Sequence, residues 1–235
     1  MSADQLPQAR PVAVFDLDGT ITRFDTLGPF LMACLARRPW RLARLALVLP
    51  AAARYLIQRD RGALKGALLH AALGGLSRVW LAERSAVFVR WVLRRALYAE
   101  ALESIDRHRL RGDRLMLMSA STDLYIPQLA EALGFELVQC SQVRWEHDGR
   151  LDGRLDGANC RGLEKQRRLQ ALIERERPAR VYAYGNSAAD VPHLLLAQEG
   201  YLVNGPRRLA LPAVLHRVNW SRRAQPTLTN GRLRA

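Results

Sequence analysis

Residues 12–20 read Val-Ala-Val-Phe-Asp-Leu-Asp-Gly-Thr, and this stretch constrains the fold more than any other. The apolar run Val12–Phe15 has the length and β-branched content of a buried strand, and Gly19 marks a turn after it. Two carboxylates, Asp16 and Asp18, therefore follow the carboxyl end of a core strand, where open α/β sheets bind their ligands. A carboxylate there can attack phosphorus without a general base, because it is ionised at neutral pH. The alternative is a polar turn after a core strand.

Beyond residue 100 the chain alternates between short apolar runs and helical segments. Asp148-Gly149 and Asp152-Gly153 indicate a hairpin or short meander between two of these runs. Strands separated by helices at this pitch predict an α/β fold, a parallel sheet with helices on both faces. The predicted strands are 114–118, 136–139, 181–184 and 201–203, and the predicted helices between them are 124–133 and 163–176.

Residues 26–99 follow a different pattern, with apolar and basic residues at helical spacing. This segment holds twelve Arg and one Lys against two acidic residues, so it carries +11 of the net charge of +14. Such a cluster attracts phosphate-rich partners or anionic lipid. The alternative is a helical face exposed to solvent, which would carry the same excess of basic residues. The predicted organisation is a discontinuous core at 1–25 and 100–220, an all-helical insert at 26–99 and a disordered tail at 221–235.

Composition excludes several other classes of protein. The three cysteines are widely spaced and form no Cys-x-x-Cys pair, which favours a reducing compartment and argues against structural zinc. The polar start of the chain and the lack of a run of about 20 uncharged apolar residues predict a cytoplasmic protein. The Arg excess lies in one apolar helical segment without a nucleic-acid recognition motif, so nucleic acid is not an expected partner.

Polar side chains also follow the later strands of the predicted sheet. Ser119 ends the strand at 114–118, and Asn186 and Asp190 follow the strand at 181–184. Lys165 is one of only two lysines among 36 basic residues, which favours a role for a compact point charge. The alternatives are a helix cap or turn for Ser119, a surface position for Lys165 and a helix N-cap for Asp190.

In chain order these residues resemble the four motifs of the haloacid dehalogenase (HAD) superfamily. Asp16-Leu17-Asp18-Gly19-Thr20 matches the first motif, Asp-x-Asp-x-Thr, while Ser119 and Lys165 match the second and third. The fourth motif normally reads Gly-Asp-x-x-x-Asp, and here it is Gly185-Asn186-Ser187-Ala188-Ala189-Asp190. The run Cys160-Arg161-Gly162-Leu163-Glu164-Lys165 is typical of the branch that includes phosphatidylglycerophosphatase C-like hydrolases. The place of the insert resembles the small cap of the phosphoserine-phosphatase-like subfamily IB.

The resemblance implies a HAD-type Rossmann-like core with a helical cap, and it implies a role for each matching residue. Asp16 would be the nucleophile that becomes a phospho-aspartate, and Asp18 would protonate the leaving group and later activate water. The phosphoryl oxygens would be bound by Thr20, Ser119 and Lys165. The implied cofactor is Mg²⁺, and its ligands would be Asp16, the backbone carbonyl of Asp18, Asn186 and Asp190.

The implied activity is Mg²⁺-dependent hydrolysis of a phosphomonoester. We expect a lipid or glycerol-type phosphate as the substrate and peripheral contact between the basic insert and the inner face of an anionic membrane. A phosphoserine-type small metabolite is the alternative substrate. Asn186 supplies a neutral amide where the family has a carboxylate, so weaker Mg²⁺ binding is expected. That leaves open a third hypothesis, a regulatory protein that binds phosphorylated ligands with little turnover.

Overall fold

The computed structural model describes residues 9–224 and two further strands at 227–229 and 232–234. Seven strands form one sheet in the order β4-β3-β2-β1-β5-β6-β7, in which only β3 and β4 are antiparallel neighbours. The strands of this sheet are β1 (Val12–Phe15), β2 (Arg114–Thr122), β3 (Leu137–Trp145), β4 (Leu151–Asp156), β5 (Val181–Gly185), β6 (Glu199–Val203) and β7 (Leu215–Val218). The helices are α1 (Leu27–Leu35), α2 (Leu49–Gln58), α3 (Arg61–Leu73), α4 (Arg78–Arg95), α5 (Ala99–Leu110), α6 (Ile126–Leu133), α7 (Leu163–Glu176) and α8 (Val191–Leu194), with a 3₁₀ segment at Pro39–Val48.

Helices cover both faces of the sheet, which explains why every residue of β1 is buried. On one face Phe15 belongs to an apolar layer with Ile105 of α5 and Leu129 of α6. On the other face Val14 belongs to a layer with Leu169 of α7. The α/β fold predicted from the strand and helix pattern, with a mostly parallel sheet between two layers of helices, is therefore confirmed.

The parallel register brings the ends of three strands to one edge. Phe15 lies opposite Leu117 of β2 and Tyr184 of β5. The Asp16 N–H continues this ladder and donates to the Tyr184 carbonyl at 2.9 Å. The residues that follow β1 and β5 therefore meet the last residues of β2, which extends to Thr122, at a common site.

The helices α1–α4 and the 3₁₀ segment form an insert that begins and ends at one narrow neck. Two backbone hydrogen bonds close this neck, from Arg23 N–H to the Ala96 carbonyl at 2.8 Å and from Tyr98 N–H to the Ile21 carbonyl at 3.0 Å. The helical content of the insert agrees with the sequence pattern. A cap function for it stays a prediction.

The first residues of the segment predicted to be a disordered tail, 221–224, contact the core. Ala224 is buried and its N–H donates to the Leu97 carbonyl at 3.0 Å. Arg222 forms ion pairs with Glu100 and Glu103 of α5. Farther on, β8 (Thr227–Thr229) and β9 (Arg232–Arg234) form an antiparallel pair.

Parts of the predicted organisation lie outside the described residues, namely 1–8 of the core and 225–226, 230–231 and 235 of the tail. Within the described ranges, no helix has the length and apolarity that crossing a bilayer requires.

Candidate active site

A cavity of about 380 Å³ opens where β1, β2 and β5 end. The residues between the neck and α1, Arg23, Phe24 and Asp25, form one wall of it. Five of the seven residues that the sequence predicts for the site line this cavity: Asp16, Asp18, Lys165, Asn186 and Asp190.

Lys165 lies buried between two carboxylates. Its Nζ is 2.6 Å from Asp16 Oδ1 and 2.8 Å from Asp190 Oδ1. The lysine can reach both because α7 begins at Leu163, directly after Gly162, whose φ of +59° suits glycine. Three buried charges in contact carry a net charge of −1 when all are ionised, so the cluster favours a further cation.

Burial and neighbouring charges shift the pKa values of this cluster. Burial raises the pKa of Asp16 to about 7, because desolvation and repulsion by Asp190 and Asp18 together outweigh the attraction of Lys165. Burial also disfavours the charged form of Lys165, but the two carboxylates outweigh it and hold the pKa of Lys165 above its usual range. Burial acts against ionised Asp190 as well, and there the attraction of Lys165 wins and lowers the pKa of Asp190. A second cation beside Asp16 would be needed to keep this carboxylate fully ionised at neutral pH.

Asp18 is held by donors from two parts of the chain. The backbone N–H and the hydroxyl of Thr26 donate to Oδ1 at 2.7 and 2.6 Å, and the Ser121 hydroxyl donates to Oδ2 at 2.6 Å. Burial raises the pKa of Asp18 and repulsion by Asp25 adds to the rise, whereas the hydrogen bonds from Ser121 and Thr26 oppose it. A carboxyl group whose pKa is raised keeps its proton to a higher pH than usual, which is what a general acid requires.

Asn186 lies against the turn of the first motif. Gly19 has a φ of +81°, and a Cβ atom added there would lie 2.0 Å from Asn186 Nδ2, so only glycine fits. Asp190 does not cap α8 with its side chain. Its Oδ2 instead accepts the backbone N–H of Asn186 at 3.3 Å and the Ser187 hydroxyl at 2.6 Å. The fourth motif therefore folds back onto Asp190 and leaves the Asn186 amide near the Asp18–Gly19 turn.

The donor set at this cavity fits Mg²⁺, which prefers hard oxygen ligands and keeps several waters. The carboxylates of Asp16 and Asp190, the Asn186 amide oxygen and the Asp18 carbonyl are all oxygens of this kind. Within the described ranges no three His, Cys, Asp or Glu side chains are grouped so as to hold a metal. A magnesium site here would therefore depend on amide, backbone and water oxygens besides the two carboxylates.

The other two predicted residues lie beneath the cavity. Thr20 is fully buried and its hydroxyl donates to Asp16 Oδ2 at 3.0 Å, so it contacts the proposed nucleophile and not open space. Ser119 is also fully buried, and its Oγ accepts the Ser121 N–H at 3.0 Å.

Thr26 and Ser121, to which the sequence pattern assigns no role in the site, contact Asp18 directly. The only sequence signal for Ser121 is a second hydroxyl two positions after Ser119, and Thr26 gives no comparable signal.

Comparisons with known proteins show the family of this chain. The profile of the haloacid dehalogenase-like hydrolase family matches residues 13–195. Protein CicA of Caulobacter vibrioides is 32% identical over 193 residues, which cover 82% of this chain and 86% of that protein. A protein with unknown function from Bordetella pertussis Tohama I has a solved structure with 25% identity and a TM-score of 0.69, covering 85% of this chain and 92% of its own.

A phosphoserine phosphatase structure, described as a phospho-aspartyl intermediate analogue, has a similar fold at 16% identity. Its TM-score is 0.59, and the match covers 84% of this chain and 88% of that one. The resemblance inferred from the four motifs is thus confirmed at the level of the family: this chain belongs to the haloacid dehalogenase-like hydrolases.

Proposed function

We propose that this protein is a Mg²⁺-dependent phosphatase that hydrolyses a phosphomonoester through a phospho-aspartate on Asp16. The observation that carries the proposal is the contact of Lys165 with both Asp16 and Asp190 in a cavity that also holds Asp18. One carboxylate is available for attack, and a second carboxyl group with a raised pKa is available for proton transfer.

In the first half of the reaction an Asp16 oxygen attacks phosphorus and the bond to the leaving oxygen breaks. Asp18 donates its proton to that oxygen, and Lys165 balances charge on the phosphoryl group. In the second half Asp18 accepts a proton from water, the water oxygen bonds to phosphorus and Asp16 leaves as a carboxylate. Mg²⁺, when bound, would neutralise phosphoryl charge. Positioning and electrostatics must lower the barrier by on the order of 20 kcal/mol.

The test of metal dependence is phosphate release from p-nitrophenyl phosphate over a range of Mg²⁺ concentrations, for the wild type and Asn186→Asp. With bound metal and a dianionic phosphate, the formal charge of the site is about −1, and the substitution makes it about −2. We expect Asn186→Asp to lower the Mg²⁺ concentration for half-maximal activity roughly tenfold, because a carboxylate ligand adds charge. It should also weaken inhibition by inorganic phosphate.

Gln170→Glu adds the same charge on the exposed face of α7 and serves as the control. An unchanged Mg²⁺ requirement in Asn186→Asp would argue against Asn186 as a ligand. Wild-type protein that binds phosphate but never turns over with Mg²⁺ would favour the regulatory alternative.

For the substrate we propose a lipid or glycerol-type phosphate, and the surface of the insert supports this choice. The 3₁₀ segment and α2 bury no residue, and Trp40, Leu49 and Ile57 are 66%, 68% and 85% exposed. Arg54 and Arg59 are exposed beside them. Apolar and basic side chains on one exposed helical segment suit the interface of an anionic bilayer.

A groove between α3 and β4 also supports an apolar leaving group. It has a volume of about 650 Å³ and is lined in part by Leu47, Ala63 and Leu155. Lys65 links it to the active-site cavity, because its Nζ contacts Asn159 of the groove and Ala120 of the cavity. The fold similarity to phosphoserine phosphatases supports the alternative, a small phosphorylated metabolite.

Two measurements separate these substrates. We expect the wild type to sediment with vesicles of phosphatidylglycerol and phosphatidylcholine, and to have at least about tenfold higher kcat/KM for lysophosphatidate than for glycerol 3-phosphate. Ile57→Glu should reduce sedimentation because it places a charge in the apolar contact. Leu110→Glu changes a similarly exposed leucine of α5 in the core and should not. Failure to sediment at low salt, with equal kcat/KM values, would leave the small-metabolite alternative.

A further inference from the structure

Lys65, the other lysine of this chain, reaches from α3 of the insert to the loops of the core. Its Nζ donates to the Ala120 carbonyl and to Asn159 Oδ1, each at 2.6 Å. Both acceptors are neutral, and burial lowers the pKa of Lys65 to about 8 although Asp18 and Asp25 oppose the shift. A largely buried ammonium that contacts only neutral oxygens is costly. Its contacts therefore merit a functional explanation.

The same two oxygens contact a buried hydroxyl, and together the four groups close a ring. Ser141 Oγ is 2.8 Å from the Ala120 carbonyl and 3.0 Å from Asn159 Oδ1, and it accepts the Cys160 N–H at 3.0 Å. We call Lys65, Ala120, Ser141 and Asn159 the docking ring. It joins the end of β2, strand β3 and the loop before α7, and Lys65 is its one member from the insert.

The docking ring fixes the peptide that precedes Ser121. With the Ala120 carbonyl held by Lys65 and Ser141, the Ser121 N–H points to Ser119 Oγ and its hydroxyl to Asp18 Oδ2 at 2.6 Å. One peptide bond, the Ser121 side chain and one hydrogen bond thus separate the ring from Asp18. The insert is therefore connected to the proposed acid, Asp18, through Ala120 and Ser121.

We propose that Lys65 is a positioning residue that makes the alignment of Asp18 depend on docking of the insert. The ammonium completes the ring when α3 lies against the core, and the ring then orients Ser121, which holds Asp18. Without Lys65 the Ala120 carbonyl keeps only the Ser141 contact. This inference rests on the proposed function, because it assigns Asp18 the role of general acid. It gives a role to a residue that belongs to none of the four motifs.

The experiment compares Lys65→Met, Lys65→Arg and Ser141→Ala on two phosphate esters with different leaving groups. An alkoxide leaving group needs a proton from Asp18 far more than p-nitrophenolate does. We expect Lys65→Met and Ser141→Ala to lower kcat for glycerol 3-phosphate about 30-fold and for p-nitrophenyl phosphate only about threefold, with KM changed less than about threefold. Lys65→Arg keeps an N–H donor for each of the two acceptors, so its kcat should stay close to that of the wild type.

Ser85→Ala is the matched control, because Ser85 is fully buried in α4 and its hydroxyl has no partner among the described residues. Equal losses on both esters would overturn the inference. The inference would also be overturned if Lys65→Met changed only KM and Ser141→Ala kept the wild-type rate. Lys65 would then act only by contacting the substrate. If Ser141→Ala does not fold, Asn159→Ala takes its place.

Hydrogen exchange gives a second readout that needs no turnover. We expect amides of the peptide 116–125 to exchange at least about tenfold faster in Lys65→Met and Ser141→Ala than in the wild type or Ser85→Ala. Unchanged exchange would contradict the docking ring even in an active enzyme. If the wild type has no phosphatase activity, the proposed function fails, and with it the role of Lys65 in positioning a general acid. Faster exchange would then support only the structural part, the ring itself.

Discussion

Asp16→Asn is expected to abolish phosphate release and to leave the fold intact. The amide has no charged oxygen with which to attack phosphorus, and Asn has nearly the shape of Asp. We expect kcat for p-nitrophenyl phosphate to fall at least about 10⁴-fold, as for loss of a nucleophile in other enzymes. Asp25→Asn changes another carboxylate of the same cavity and should keep most of the activity. Wild-type turnover by purified Asp16→Asn would disprove the assignment.

The same substitution should stabilise the metal-free protein at neutral and alkaline pH. With a neutral amide in place of the Asp16 carboxylate, Lys165 is balanced by Asp190 alone, so the buried net charge changes from −1 to zero. The pKa of Asp16 is raised from 3.8 to about 7, so the folded state binds a proton there that the unfolded state has lost. The wild type therefore loses stability as pH rises from about 4 through 7.

We expect Asp16→Asn to be more stable than the wild type by about 1–3 kcal/mol at pH 8 in EDTA, with the difference vanishing below about pH 4. Thermal unfolding across this pH range measures it. A lower melting temperature of the variant at pH 8 would show instead that the ion pair with Lys165 outweighs the burial of Asp16.

The central part of the site was predictable because it depends on local patterns and on one rule of topology. Val12–Phe15 reads as a buried strand from its own residues, and Asp16 must then lie at its carboxyl end. Parallel strands place their carboxyl ends at the same edge, which brings Asp190 to Asp16 although 174 positions separate them in the chain. Lys165 completes the cluster because it lies in the first turn of α7, whose start faces this edge.

The contacts that surround this cluster could not be predicted, because they cross between segments whose relative positions no local pattern records. Thr26 precedes the helices of the insert and Ser121 follows them. Both can contact Asp18 only when the insert has folded and the chain has re-entered the core. Lys65 contacts Ala120 for the same reason. The contact of Arg222 with acidic residues of α5, more than 100 positions away in the chain, has no local signal either.

Lys165→Met is expected to cost both activity and stability, since it removes the cation between two buried carboxylates. Asp16 and Asp190 would then repel each other in a medium that does not solvate them, and breaking a buried pair in this way costs about 3–5 kcal/mol. We expect a loss of about 3 kcal/mol at pH 8. The loss should be smaller at pH 5, where Asp16 can take up a proton. Denaturant unfolding at the two pH values measures it, and kcat should fall at least about 10³-fold.

The other lysine of the chain supplies a matched control for this prediction. Lys65→Met makes the same chemical change in a largely buried lysine, but its acceptors Ala120 and Asn159 are neutral, so no carboxylate loses its partner. We expect its free energy of unfolding to stay within about 1 kcal/mol of the wild type, because the lost hydrogen bonds are offset by removal of a poorly solvated charge. Equal destabilisation by the two substitutions would mean that the carboxylates beside Lys165 do not need its charge. The electrostatic account of the site would then fail.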